Sequence, residues 1–207
     1  MTPGLFRCVS QKAVGVASFD EVNFISEFQR RPEHAFKMLM AGFRDRVFTL
    51  CLRVTPGPAE AEDLAQESFL RVWKGLANFR GESSLSTWIY HIVWNVCASH
   101  LERKGRSLDT TPYREEDGDE GEPHFSVSTE DEAYKSFEDR QFIGKLFDGL
   151  SASHKMVLTL FYLEEQSYEE IATVTGWPMG TVKATLHRAK DRLRTLAFAE
   201  KAYSEQV

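Results

Sequence analysis

The sequence predicts an all-α protein, and three observations lead to that fold class. Apolar residues recur at three- and four-residue steps through most of the 207-residue chain, as one face of a helix requires. No stretch alternates convincingly with the period of two that a half-buried strand needs. Pro56, Pro58, Gly81 and Gly176 fall where those apolar series stop, as helix punctuation should.

In chain order, Phe36, Leu39, Met40, Phe43, Val47, Leu50 and Cys51 form the first stripe, and the "TPGP" of residues 55–58 ends it. A second helix is expected from about Ala59 through "AEAEDLAQESFLRVWKGL". Glu60, Glu62 and Asp63 lie in its first turn, where the helix dipole favours negative charge. Gly81 breaks the chain in "NFRGESSLSTW". The helix after it, "STWIYHIVWNVCASHLERK", has Ile89, Ile92, Val93 and Val96 as its buried stripe. Beyond an acidic stretch, Ala133, Phe137 and Phe142 begin an apolar spacing from about Thr129. "HKMVLTLFYL" is then one helix and "SYEEIATVT" a shorter one, whose Ser167 and Glu170 stand in capping-box relation.

Charge is distributed unevenly. Residues 1–106 hold 14 basic and 11 acidic side chains, residues 107–140 hold 3 and 12, and residues 141–207 hold 8 and 8. The whole acidic excess therefore sits in the middle segment. The first part of that segment is too polar and self-repelling to bury a core and reads as a linker. The expected organisation is an N-terminal tail (1–17), a helical lobe (18–106), the acidic flexible linker (107–140), a second helical lobe (141–196) and a C-terminal tail (197–207). No run of about eighteen apolar residues suggests a membrane span, and the first residues lack the compact apolar core of a signal peptide. A cytoplasmic protein is expected. Cys8, Cys51 and Cys97 are scattered and odd in number, which fits neither a disulfide framework nor a zinc ribbon. Cys97 and His100 make an isolated C-x-x-H, better read as a buried thiol on a helix than as half a metal site. No metal and no cofactor are expected.

Against this acidic background, "TVKATLHRAKDRLR" (residues 181–194) concentrates five Lys or Arg against one Asp. On a helix at about 100° per residue, Val182, Leu186, Ala189, Leu193 and Leu196 fall within about 80° of one another. Ala184, His187, Arg188 and Arg194 lie opposite, with Lys183 and Lys190 on a flank. Upstream, "EEIATVTGWPMG" supplies a short helix, a turn at Gly176 and Pro178 suited to the first helical position. A short helix, a tight glycine turn and a helix with a basic outer face are the sequence form of a DNA-reading helix-turn-helix.

These residues carry a family resemblance. "SYEEIATVTGWPMGTVKATLHRAKDRLR" resembles region 4 of the bacterial sigma-70 family, and "AEDLAQESFLRVWKGLANFRGESSLSTWIYHIVWNVCASHLERKGR" resembles region 2. Two such lobes without a well-formed middle domain resemble the extracytoplasmic-function (ECF) group, over about Ser18 to Leu196. The resemblance implies a non-enzymatic transcription initiation subunit. It would bind the clamp helices and flap of core RNA polymerase, direct it to −10 and −35 promoter elements, promote melting and answer to an anti-sigma factor. Asp63, Gln66 and Glu67 of "DLAQE" would dock on basic residues of the polymerase. Phe79, Tyr90, His91, Trp94 and Asn95 would hold melted −10 bases, using aromatic faces and an amide edge. Arg80, Arg103, Lys104 and Arg106 would serve phosphates. For the −35 duplex, Arg188 suits a bidentate guanine contact. Ala184 would touch a methyl or leave room, and His187 would make one hydrogen bond. Thr181, Lys183 and Lys190 would position the helix on phosphates. The acidic linker would thread toward the polymerase cleft. The chain departs from the family in having Ala184 and Thr185 where a polar and then a basic residue usually follow T-V-K, so promoter preference cannot be transferred from relatives.

Two other classes fit less well. A self-sufficient helix-turn-helix regulator leaves "DLAQE" and "FRGESSLSTW" without a role. An enzyme would need a Gly-rich phosphate loop, an H-E-x-x-H or a nucleophile elbow, and none occurs.

Overall fold

The computed structural model describes residues 21–106, 108 and 146–204. Seven helices lie wholly among them: α1 (Glu21–Arg30), α2 (Pro32–Leu52), α3 (Pro58–Leu76), α4 (Leu85–Arg103), α5 (Ala152–Tyr162), α6 (Tyr168–Thr175) and α7 (Met179–Ser204); residues 146–148 are helical as well. Among the described residues there is no strand, and the fold is all-α. The linker and the apolar spacing around Ala133, Phe137 and Phe142 lie outside the described residues.

Contacts divide the chain into one compact unit of residues 1–42 and another of 43–207, the boundary falling inside α2. The first unit contains α1, a helix not foreseen from the sequence. It is a single short amphipathic segment in which Phe24 and Phe28, one turn apart, stack at 6.0 Å between ring centroids. Glu27 is 3.8 Å from Arg31 and 3.4 Å from His34, which ties the end of α1 to the start of α2. Met40, placed on the apolar stripe of α2 by its spacing, is instead exposed at the stripe's edge, whereas Leu39 is fully buried.

The second unit is built on helix boundaries that the local chemistry explains. Pro58 opens α3, where a missing N–H costs nothing. The buried face of α3 runs Ala61, Leu64, Ala65, Ser68, Phe69, Val72 and Leu76. Ser84 caps α4 by accepting from the Thr87 amide at 3.1 Å, and Ser151 caps α5 by accepting from the His154 amide at 3.3 Å. Ser167 and Glu170 satisfy each other's backbone N–H groups in a complete capping box that starts α6. Gly176 ends α6 at φ 72°, a left-handed conformation that a side chain disfavours. Pro178 was expected at the first helical position of α7 but stands one residue earlier. Its carbonyl accepts the first α7 bond, from Val182 at 3.1 Å, so it serves as the N-cap.

Packing follows the stripes. In α7, Val182, Leu186 and Ala189 are buried against α5 and α6, while Leu193 and Leu196 are half-buried. In α4, Ile89, Val93 and Val96 are buried and Ile92 is half-buried. Gly75 lets α3 approach the Trp88 ring so closely that a Cβ there would meet Trp88 Cζ2 at 2.9 Å. Cys51 and Cys97 are free, fully buried thiols. A hydrogen bond with Cys51, together with burial, pushes the Cys97 thiol above its ordinary value. Cys97 is thus the buried helix thiol its surroundings suggested. Within this unit α4 packs on α6 more extensively than on its neighbour in sequence, α3, a long-range arrangement that helical periodicity does not encode.

Candidate nucleic-acid interface

Three faces carry the residues singled out from the sequence. The first is on α3. Asp63, Gln66 and Glu67 are exposed on one side of the helix, with Leu70 (55% exposed) and Trp73 (37%) continuing the same stripe. The two apolar residues had not been assigned to docking; their i+7 and i+10 spacing from Asp63 was the available signal. Glu67 accepts from Arg71 Nε at 2.7 Å. Asp63 and Glu67 border a groove of about 460 Å³ that also touches Leu64, Ser99, His100 and Arg103. An acidic, partly apolar helix face of this kind suits a basic helical partner with an apolar seam.

The second face is on α4 and the loop before it. Phe79 and Trp88 pack at 5.1 Å, and with Asn78, Arg80, Glu82, Ser83 and Thr173 they line an open hollow of about 500 Å³. Arg80, Asn95, Arg103 and Arg106 are exposed. Lys104 is engaged by Glu60, and that hydrogen bond holds the Glu60 carboxyl below the usual carboxylate range, with burial opposing it. The remaining aromatic residues are not open. Tyr90 is fully buried and Trp94 is 4% exposed.

What covers them is the second lobe. The Tyr90 hydroxyl donates to Glu164 Oε2. Burial and the Glu164 charge push the phenol far above its ordinary value, so it stays a donor. Trp94 meets Trp177 edge-on at 5.1 Å, a geometry that the ring quadrupoles favour. The His91 ring uses both nitrogens: Nδ1 pairs with the Val174 carbonyl at 2.9 Å and Nε2 with Asn95 Nδ2 at 3.0 Å. With Nδ1 donating to the carbonyl, Nε2 is the acceptor for the amide. Thr87 donates to Gln166 Oε1 at 3.1 Å, Arg46 Nε donates to Glu164 at 2.5 Å and Arg53 Nε donates to Thr159 Oγ1 at 3.1 Å. The Arg53 guanidinium also lies over the Phe147 ring, and burial lowers its pKa from the ordinary arginine value.

The third face is the outer side of α7. Lys183 and His187 are exposed, and Ala184 and Arg188 are half-exposed beside them. Arg188 lies close enough to α5 that its charge adds to burial in pulling the His154 imidazole below its ordinary value. Thr181 is buried at 8% exposure, and the Lys190 ammonium sits over the Phe161 and Tyr162 rings at 5.2 and 5.5 Å. Those two expected phosphate contacts are therefore turned toward the lobe itself. Asp191 is 3.0 Å from His187 and 2.6 Å from Arg194. Among the described residues no group of three or more His, Cys, Asp or Glu is disposed to hold a metal ion, and no helix is long and apolar enough to cross a membrane.

Comparison with known proteins places both lobes. Residues 39–107 match the model for sigma-70 region 2, and residues 143–193 match that for sigma-70 region 4. The chain is 31% identical over 172 residues to the RNA polymerase sigma-H factor of Pseudomonas aeruginosa, covering 82% of this chain and 89% of that protein. It is 30% identical to the ECF RNA polymerase sigma-E factor of Escherichia coli K12 over the same length, covering 82% and 90%. Its fold is similar to that of CnrH, solved in complex with the cytosolic domain of CnrY, at TM-score 0.61 and 17% identity over 86% of this chain and 97% of that one. It is also similar to RpoE of Bartonella quintana, solved in complex with the anti-sigma factor NepR, at TM-score 0.58 and 25% identity over 78% and 95%.

Proposed function

This chain belongs to the ECF group of the sigma-70 family, and from that premise we infer how its residues divide the work of starting transcription. A sigma factor binds core RNA polymerase and brings it to promoter DNA without making or breaking a covalent bond. The observation that carries the assignment is the presence of both regions, in order, on one chain. We place this work in the cytoplasm, where polymerase and promoters meet, under restraint by an anti-sigma factor of the kind bound to the Bartonella relative.

In this reading Asp63, Gln66 and Glu67, with Leu70 and Trp73 beside them, dock on the polymerase clamp. Asn95 reads a base edge in the melted −10 element, and Tyr90, Trp94 and His91 stack or hold unpaired bases once they are uncovered. Phe79 and Arg80 line the hollow next to them. The outer face of α7 enters the −35 major groove, where Arg188 contacts a guanine, His187 and Ala184 sit alongside and Lys183 meets a phosphate. Run-off transcription with core polymerase over a genomic library tests the assignment; no added transcript in the chain's presence would defeat it.

Two substitutions separate the elements. Arg188→Ala should cost about 1–3 kcal/mol in promoter recognition and relax preference at one −35 position. Asn95→Ala should leave the closed complex nearly intact and lower the yield of open complex, since its contact forms only after a base leaves the stack. Footprinting with and without a probe for unpaired thymine reads the two steps. Equal loss of closed complex in both variants would make α4 a plain docking element.

A further inference from the structure

The contacts that cover α4 are unusual in chemistry. Glu164 and Gln166, in the turn between α5 and α6, are 6% and 7% exposed, although residues of their kind are mostly found in water. Each is satisfied from across the packing. Glu164 receives Arg46 and Tyr90, and Gln166 receives Thr87 while donating to the Glu164 carbonyl at 3.2 Å. Between them Glu165 takes φ 51°, a left-handed conformation unfavourable for a residue with a side chain, which lets the turn send its two neighbours to the same buried place. Trp177 completes the cover on Trp94 from the other end of α6.

A packing of this kind is built to separate. Charged and amide groups regain water when they part, so their pairing adds little net stability, yet losing one partner leaves the other stranded. The side chains beneath it, Tyr90 and Trp94, cannot meet bases while region 4 lies on them. We propose that Glu164 and Gln166 form a latch holding region 4 over the base-stacking face of region 2, so that the free chain is masked until the latch opens. The inference rests on the role given above to Tyr90 and Trp94.

The test uses the full chain and four variants. Glu164→Lys sets an ammonium against Arg46, and Arg46→Glu sets a second carboxylate against Glu164. The two change the net charge in opposite directions, so a shared effect cannot be general attraction to DNA. Arg46→Glu with Glu164→Lys restores an opposite pair, and Glu165→Lys changes the charge at an exposed neighbour. The readouts are helical content by circular dichroism, acrylamide quenching of tryptophan fluorescence, and binding of a fluorescein-labelled single-stranded twelve-thymidine oligonucleotide. Both single variants should keep their helicity, expose Trp94 and Trp177 to quencher and bind the oligonucleotide about tenfold more tightly or better, as expected when an open form populated at about 0.1–10% becomes dominant. The double variant and Glu165→Lys should behave like the parent. Unchanged quenching in both helical single variants overturns the latch, as does a double variant that stays open. Exposed tryptophans without tighter oligonucleotide binding would keep the latch and overturn the stacking role of Tyr90 and Trp94. If one single variant loses helicity, the other decides.

Discussion

Asp63→Arg combined with Glu67→Arg is expected to weaken binding to core polymerase about a hundredfold or more. Each carboxylate facing a basic partner in a desolvated contact is worth about 2–5 kcal/mol on truncation, and reversal adds repulsion. The fold should not suffer, because both side chains are exposed on α3 and neither belongs to its buried face. The local cost is the Glu67–Arg71 pair, an i,i+4 contact of about 0.3–0.5 kcal/mol. Competition for core against the parent, with circular dichroism as control, measures the effect. A double variant that competes equally well would move the docking surface away from this face. Partial loss with a steep salt dependence would leave it here and assign more of the affinity to Leu70 and Trp73.

Leu186→Ala should have a comparably large effect by a different route. Leu186 is 1% exposed on the face of α7 that packs against α5 and α6. Emptying such a site costs about 2–5 kcal/mol. The lobe that holds it is small, and about 0.05–0.15 kcal/mol per residue over roughly sixty residues gives about 3–9 kcal/mol in all. The variant should therefore lose much of the stability of region 4, and with it −35 recognition. It should still bind core through α3, because region 2 keeps its own core. Urea unfolding followed by circular dichroism should show an early transition absent from the parent, and pull-down with core should show retained binding. A single unshifted transition would mean that α7 is held by something other than this stripe.

Much of this was legible in the sequence, for reasons that particular residues make clear. The capping box at Ser167 and Glu170 and the turn at Gly176 are local chemistry, written within a few residues. The α7 stripe is a repeat of one side-chain period. The exposed trio on α3 follows from the same geometry. The cover over Tyr90 and Trp94 was not legible. Its partners Glu164 and Trp177 lie 74 and 83 positions away, and an aromatic flanking a buried stripe suits an unstacked base and a neighbouring lobe equally well. "LEEQS" (residues 163–167) reads as an ordinary polar turn, because nothing local distinguishes a buried glutamate from a solvated one. The α1 helix is short, and only two of its rings announce it.

The pairing around Asp191 changes how the protein should feel its ionic surroundings. Residues 181–194 carry five cationic side chains, but Arg194 is committed to Asp191 and Lys190 to two aromatic rings. In the reading proposed above, Lys183 and Arg192 remain for phosphates, since Arg188 is given to a base. By counterion release, α7 is then expected to displace about two condensed cations from duplex DNA rather than about four, a logarithmic salt slope near −1.8 instead of −3.6. A reader built this way should hold its −35 site with shallow dependence on the salt content of the cell, which promoter binding measured across a salt series would check. It should also have little electrostatic grip on DNA of the wrong sequence.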